Sequence, residues 1–183
     1  TSLSALRLGE LALQAGLPPG VLNIVTGTGA SVGATLVGHA GVDKVSFTGS
    51  TGEGKGVISA AANSMKRVTL ELGGKSPMFI FDDADLERAI PAAGMGIFNN
   101  TGQVCFAGSR LYVQPKVYDK VVAELQAFAQ GLKLGSGLDS GNHLGPLISA
   151  KQRDRVLSYI ESGQADGAEL ITGGGVHGGE GYF

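Results

Sequence analysis

Lys44-Val45-Ser46-Phe47-Thr48-Gly49-Ser50-Thr51-Gly52-Glu53-Gly54-Lys55 reads as a strand running into a glycine-rich turn and then a helix, and this junction sets the fold class. Lys44–Thr48 is short and half apolar, Gly49-Ser50-Thr51 breaks it, and residues 52–63 are expected to be helical. Arg67-Val68-Thr69-Leu70-Glu71-Leu72 follows as the next strand. Upstream, Val21-Leu22-Asn23-Ile24-Val25 is a short apolar run read as another strand, and Gly27-Thr28-Gly29 turns into a helix over 30–38. Three strands separated by two helices make a βαβαβ unit, which requires parallel strands with right-handed crossovers. A first helix over 3–15, with Thr1-Ser2 as its N-cap, stops at Gly16 before Pro18-Pro19.

Beyond Gly73-Gly74 the pattern restarts. Pro77-Met78-Phe79-Ile80-Phe81 reads as a strand, and Asp82-Asp83-Ala84-Asp85 as an acidic helix start. Leu86, Ala89, Ile90, Ala93 and Ile97 give a helical apolar face that Pro91 should kink. Leu111-Tyr112-Val113 is a strand. Val117, Val121, Leu125, Phe128 and Leu132 form an amphipathic helix, and Ser149 with Gln152 opens another over 150–163 as a capping box. Ala168-Glu169-Leu170-Ile171 is a last expected strand. The expected fold is α/β: part of a Rossmann-like parallel sheet over 1–73, then part of a second α/β domain over 74–183.

Composition narrows the function. Glycine stands at 31 of 183 residues, interleaved with aliphatic runs, which suits tight strand-to-helix turns and not collagen or low complexity. A net charge of −2 without blocks of like charge gives no footprint for nucleic acid. The single cysteine excludes an intramolecular disulfide framework and a cysteine-rich metal site. With no signal peptide and no bilayer-spanning apolar run in the sequence, the cytoplasm is the expected compartment.

Four features carry chemistry. Gly27-Thr28-Gly29-Ala30-Ser31-Val32-Gly33 is one residue too long for GxGxxG, and tight turning accounts for its glycines. The Gly49 loop is better placed, because its N–H groups and the start of the next helix can hold phosphate oxygens, with Ser50 and Thr51 as further donors. It also matches GxxxxGK, with Met78-Phe79-Ile80-Phe81 ending in Asp82 as the acidic strand of a P-loop nucleotide-binding protein. That rival meets an obstacle at Gly56, which stands where such a loop needs a Ser or Thr hydroxyl on Mg²⁺. Cys105 lies in the Gly-containing loop Thr101-Gly102-Gln103-Val104-Cys105-Phe106-Ala107-Gly108-Ser109-Arg110 between a helix and a strand, where functional residues concentrate, although a lone cysteine is more often inert packing. Glu71 stands at the carboxyl end of a strand expected to be buried, the edge at which open α/β sheets bind ligands; partial desolvation there suits a base that takes a proton from water.

Three motifs, in order, resemble aldehyde dehydrogenases. Leu70-Glu71-Leu72-Gly73-Gly74-Lys75-Ser76-Pro77 is similar to that family's glutamate signature, Gly102–Arg110 to its cysteine signature, and Phe47-Thr48-Gly49-Ser50-Thr51 to its cofactor loop. The resemblance extends through Gly20-Val21-Leu22-Asn23 and Leu144–Ser149 to Gly181-Tyr182-Phe183, with a faint likeness to phenylacetaldehyde dehydrogenases. It implies oxidation of an aldehyde to its acid with NAD, NADP being possible. Cys105 is the implied nucleophile, passing through a thiohemiacetal and a thioester, with its own N–H helping to hold the oxyanion. Glu71 is the implied base for hydrolysis, which sets the chain apart from the coenzyme-A-acylating branch. Cofactor contacts are implied for Gly49, Ser50, Thr51, Gly54 and Leu72, with Gln152 near the ribose. Asn100, just ahead of the nucleophile, is structural, and no metal is implied.

Two positions depart from the family pattern. Glu53 replaces a commonly aliphatic residue beside the cofactor, where a carboxylate either repels phosphate or faces water, and Thr101 replaces a frequent Gln. The resemblance also leads us to expect the oxyanion asparagine and the ribose-gripping lysine upstream of Thr1. The glutamate–phenylalanine pair at the nicotinamide ribose and the oligomerisation strand are expected beyond Phe183. A homo-oligomer, dimer or tetramer, is expected of the whole protein and little activity of this segment alone; an inert product of a truncated gene is the non-enzymatic alternative. Val104 and Phe106, flanking the nucleophile, favour an apolar or aromatic aldehyde.

Overall fold

A computed structural model describes residues 2–183, so that Thr1, half of the expected N-cap, lies outside the described residues. The chain divides into two compact units, the first ending at Leu72 and the second running Gly73–Phe183. The fold is α/β, with a small parallel sheet in each unit.

The first unit begins with α1 (Ser2–Gln14). A single π-helical turn, Gly29–Gly33, leads into α2 (Ala34–Gly38). Then come β1 (Lys44–Gly49), α3 (Thr51–Ala62) and β2 (Arg67–Leu72). β1 and β2 are parallel, in a register that pairs Thr48 with Glu71 and Gly49 with Leu72. The expected strand at Val21–Val25 does not form, so the anticipated βαβαβ unit is βαβ here. A strand exists only through its ladder. In place of ladder bonds, Val21 donates to the Pro18 carbonyl and the Asn23 side chain to the Gly20 carbonyl, which makes a local turn. The apolar run was real, but an apolar run does not specify a pairing partner.

β2 is also less buried than expected. Its residues alternate between exposed and half-buried, the pattern of a strand covered on one face. α3 supplies that cover: Gly54 is buried, and a Cβ there would come within 2.9 Å of Leu72 Cδ2 and 3.6 Å of Leu70 Cδ1. Leu70 and Leu72 therefore face the helix and Glu71 the other side.

The second unit pairs β3 (Pro77–Ile80) with β4 (Arg110–Val113), again parallel, with α4 (Leu86–Phe98) between them in sequence. α5 (Tyr118–Gln130) follows a 3-10 turn at Pro115–Val117, and α6 (Ala150–Ala165) follows Ser149, whose side chain accepts from the Gln152 N–H. The core of this unit is Ile80, Ile90, Ala93 and Val121, with Met78, Leu111, Val113 and Leu125 packed around it. α4 runs through Pro91 as one helix. The ring removes one hydrogen bond, to the Glu87 carbonyl, while Ile90 and Ala93 on the adjoining turns are anchored in the core. Ala168–Ile171 does not pair as the expected strand; the Gln126 side chain donates to the Ile171 carbonyl instead.

Candidate active site

The expected site residues fall in both units. Gly49, Ser50, Thr51, Gly54, Glu71 and Leu72 belong to the first, Cys105 and Gln152 to the second.

In the first unit the parallel register brings the glycine loop and the glutamate to one sheet edge, because Glu71 and Leu72 lie directly across from Thr48 and Gly49. Ser50 is the N-cap of α3. Its Oγ accepts from the Glu53 N–H at 3.2 Å, while the Glu53 carboxylate accepts from Ser50 Oγ at 3.0 Å and from the Ser50 N–H at 3.4 Å. This is a complete capping box. Glu53, read from sequence as either repelling phosphate or facing water, is exposed and also closes the helix start. Gly49 and Gly54 are set by packing: a Cβ at Gly49 would run into the Phe47 ring, and one at Gly54 into Leu72. Glu71 is exposed. The desolvation expected for it is therefore not supplied by the described residues, since α3 covers only the opposite face of β2.

A cavity of about 660 Å³ opens between the π-helical turn with α2 on one side and β1 with α3 on the other. That is ample for a small organic ligand. Gly29 and Gly33 line it, together with Phe47, Thr48, Glu53 and Gly56. A Cβ at Gly29, Gly33 or Gly56 would meet no protein atom within 4 Å. These glycines answer no packing need among the described residues, and they leave the cavity wall bare. Sequence reasoning gave the Gly27–Gly33 loop to turning alone and missed Gly29 and Gly33 as wall residues. The clue was the two glycines facing the next helix start across the fold, which becomes visible only once α2 and α3 are placed.

In the second unit Cys105 sits in a turn and is exposed. Three consecutive left-handed residues lead into it: Asn100 (φ 51°), Thr101 (φ 56°) and Gly102 (φ 73°). Glycine adopts this backbone freely, whereas Asn and above all β-branched Thr do so at a cost, which the surroundings must impose. Asn100 Nδ2 donates to the Gln103 carbonyl across the turn, and Gln103 Nε2 bonds Thr101 Oγ1. The far side of the loop is held from elsewhere: Gly108 donates to the Gly96 carbonyl in α4, Arg110 N–H to the Ser76 carbonyl and Arg110 Nε to the Lys75 carbonyl. A Cβ on Gly74 would lie 3.5 Å from the Cys105 carbonyl oxygen. The Cys105 N–H donates to no acceptor among the described residues. Val104 is half-buried, and Phe106 is 75% exposed. Gln152 is half-buried at the start of α6.

The P-loop alternative does not survive the topology. Its acidic strand must lie in the sheet that carries the glycine loop, but β3 pairs with β4 in a separate sheet. Asp82 is held by Lys116 at 3.0 Å and donates its N–H to Gln114. Among the described residues, no group of three or more His, Cys, Asp and Glu is placed to hold a metal ion, and no helix is long and apolar enough to cross a membrane.

The chain matches known proteins over its whole length. It is similar to a betaine aldehyde dehydrogenase of Sinorhizobium fredii, with 51% identity over 96% of the chain and 36% of that protein. A phenylacetaldehyde dehydrogenase of Pseudomonas fluorescens is also 51% identical, over 95% of the chain and 35% of that protein. The solved NAD+ complex of an aldehyde dehydrogenase from Bacillus cereus superimposes with a TM-score of 0.98 at 49% identity, covering the whole chain and 37% of that structure. The chain thus spans little more than a third of the length of these relatives. The aldehyde dehydrogenase family profile matches residues 1–183, and with an exposed thiol, a carboxylate at the sheet edge and a glycine-walled cavity in place, the chain belongs to the aldehyde dehydrogenase family.

Proposed function

We propose that the protein oxidises an aldehyde to a carboxylic acid with NAD(P)+, Cys105 acting as the nucleophile and Glu71 as the base. Residues 1–73 would serve as part of the cofactor-binding domain, and residues 74–183 as part of the catalytic domain. The observation that carries this is the exposed Cys105 in a backbone-strained loop, with an N–H that makes no bond among the described residues. Strain of this kind concentrates at sites where geometry matters more than stability.

Cys105, its thiol proton lost, adds through Sγ to the aldehyde carbon, and the carbonyl electron pair moves onto oxygen, where the Cys105 N–H stabilises it. Bound NAD(P)+ would supply the acceptor for the hydride that leaves the same carbon as its C=O bond re-forms, and the acyl group would remain on Cys105 as a thioester. Glu71 then takes a proton from water, the hydroxyl oxygen attacks the thioester carbon, and the C–S bond breaks to release the acid and the Cys105 thiolate.

The residues present fit the cofactor. The bare glycine wall of the cavity admits a flat ring system, and Ser50 at the start of α3, with Gly49 and Thr51, is where a phosphate would meet backbone donors. Gly54 and Leu72 would act by packing α3 against β2 and so fixing that helix start, and Gln152 is assigned to the ribose. On the substrate side, Val104 and exposed Phe106 favour an apolar or aromatic aldehyde, since apolar side chains beside the reacting sulfur reward burial of apolar groups. A homo-oligomer and a cytoplasmic, reducing setting complete the reading, the latter because an exposed free thiol persists where disulfides do not form.

In the whole protein, iodoacetamide should alkylate Cys105, as read by peptide mass spectrometry, and abolish NAD+-dependent aldehyde oxidation in step with that modification. Undiminished turnover by the fully alkylated protein would end the proposal. Equal preference for betaine aldehyde and phenylacetaldehyde would discard the apolar-substrate part alone.

A further inference from the structure

We infer that Glu53 sets the affinity of the dinucleotide site by competing with a cofactor phosphate for the donors of Ser50. This rests on the cavity between α2 and α3 being the cofactor site. The start of α3 offers a phosphate a backbone N–H and a hydroxyl together, on Ser50, between the wall residues Thr48 and Glu53. Both are already committed: the Ser50 N–H and Oγ donate to the same carboxylate oxygen of Glu53, at 3.4 and 3.0 Å. Glu53 is also part of the cavity wall and, among the described residues, the only charged side chain on it. Its neighbours there are glycines and alanines, Val37, Val57, Phe47 and the neutral hydroxyl of Thr48.

Two costs follow for an anionic ligand. The carboxylate has to release Ser50 before a phosphate oxygen takes its place. Having released it, Glu53 remains anchored to the first turn of α3, a unit negative charge beside the incoming negative charge. Neither cost falls on a ligand that fills the apolar part of the cavity without a phosphate. The two costs are also separable by substitution. Glu53→Gln keeps a carbonyl oxygen that can accept from Ser50 but removes the charge, and Glu53→Ile removes both.

The test is the dissociation constant of NAD+ and of adenosine for the full chain as wild type, E53Q and E53I, by calorimetry at low and high salt, with circular dichroism confirming that each variant is folded. E53Q should bind NAD+ roughly fivefold tighter than wild type at low salt, the factor that one like-charge pair about 4 Å apart represents in water. High salt should shrink that advantage, since ions screen an exposed pair. E53I should bind NAD+ more tightly again, and adenosine should bind wild type and E53Q alike. NAD+ constants that are the same in all three proteins would overturn the inference while leaving the cofactor site standing. Adenosine tightening as much as NAD+ in E53Q would also overturn it, because the effect would then be one of cavity polarity. Absence of NAD+ binding in all three folded proteins would remove the cofactor site itself, and the inference with it.

Discussion

Gly49–Gly54 and Asn99–Arg110 are both glycine-containing turns at the ends of regular elements, yet their hydrogen bonds close over very different ranges. The first is satisfied within itself: Ser50 and Glu53 exchange bonds three residues apart, and Gly54 donates back to the Ser50 carbonyl. The second is pinned by α4 and by the Lys75-Ser76 segment, the Arg110 side chain reaching back 35 residues to do so. It also contains two non-glycine residues in left-handed backbone, Asn100 and Thr101. A turn that closes on itself survives rearrangement around it. One held by distant segments has its shape only while those segments are in place, and its chemistry is correspondingly easier to disturb from afar.

Mutation can break or sharpen that contrast. The largest effect is expected at the cysteine itself: Cys105→Ser should lower kcat/KM for aldehyde oxidation on the order of 10⁴-fold or more, because the alkoxide precursor is a far weaker nucleophile than a thiolate. Steady-state assays of the full chain measure this. Next is Gly108→Ala, whose Cβ would drive into Met78. Overpacking of this kind costs about 1–3 kcal/mol, and because the clash lies in the loop that is held from outside, activity should fall together with the urea midpoint. In the self-closing turn, Ser50→Ala should cost about 1 kcal/mol as a lost N-cap and leave the Cys105 loop untouched, so the alkylation rate of Cys105 should not change. The smallest effect on stability, of opposite sign, is expected for Gly56→Ala. A Cβ there meets nothing within 4 Å, so the helix should gain about 0.8 kcal/mol, while the new methyl group on the cavity wall should weaken NAD+ binding. A stabilised G56A protein that binds NAD+ as tightly as wild type would show that the bare wall has no bearing on the cofactor.

What could be read from the sequence follows the same division. β1, α3 and β2 were legible because the turn between them is local and its residue types are specific, and α5 because Val121 and Leu125 fall on one helical face. The capping box at Ser50 is equally legible, since Ser followed by Glu three residues on is its signature, whereas the family pattern marks Glu53 only as a departure and says nothing of its own bonding. The segments at Val21–Val25 and Ala168–Ile171 were apolar enough to be strands, but pairing is a property of two segments, and neither sequence names a partner. The exposure of Glu71 was missed for a related reason. Alternation along β2 shows that one face is covered, but not that α3 covers the Leu70–Leu72 face and leaves the carboxylate open. Nor does composition show that Asn100 and Thr101 turn left-handed, because their conformation is imposed by the bonds that close the loop.

The account stands on a covalent intermediate at one sulfur, and that species can be weighed. With Glu71→Gln in the full chain, mixed with aldehyde and NAD+ and quenched in acid, intact and peptide mass spectrometry should find a single acyl group, carried on Cys105 and persisting because the base that hydrolyses it is gone. An unmodified Cys105 in a variant that still turns over, or an acyl group attached elsewhere, would contradict it.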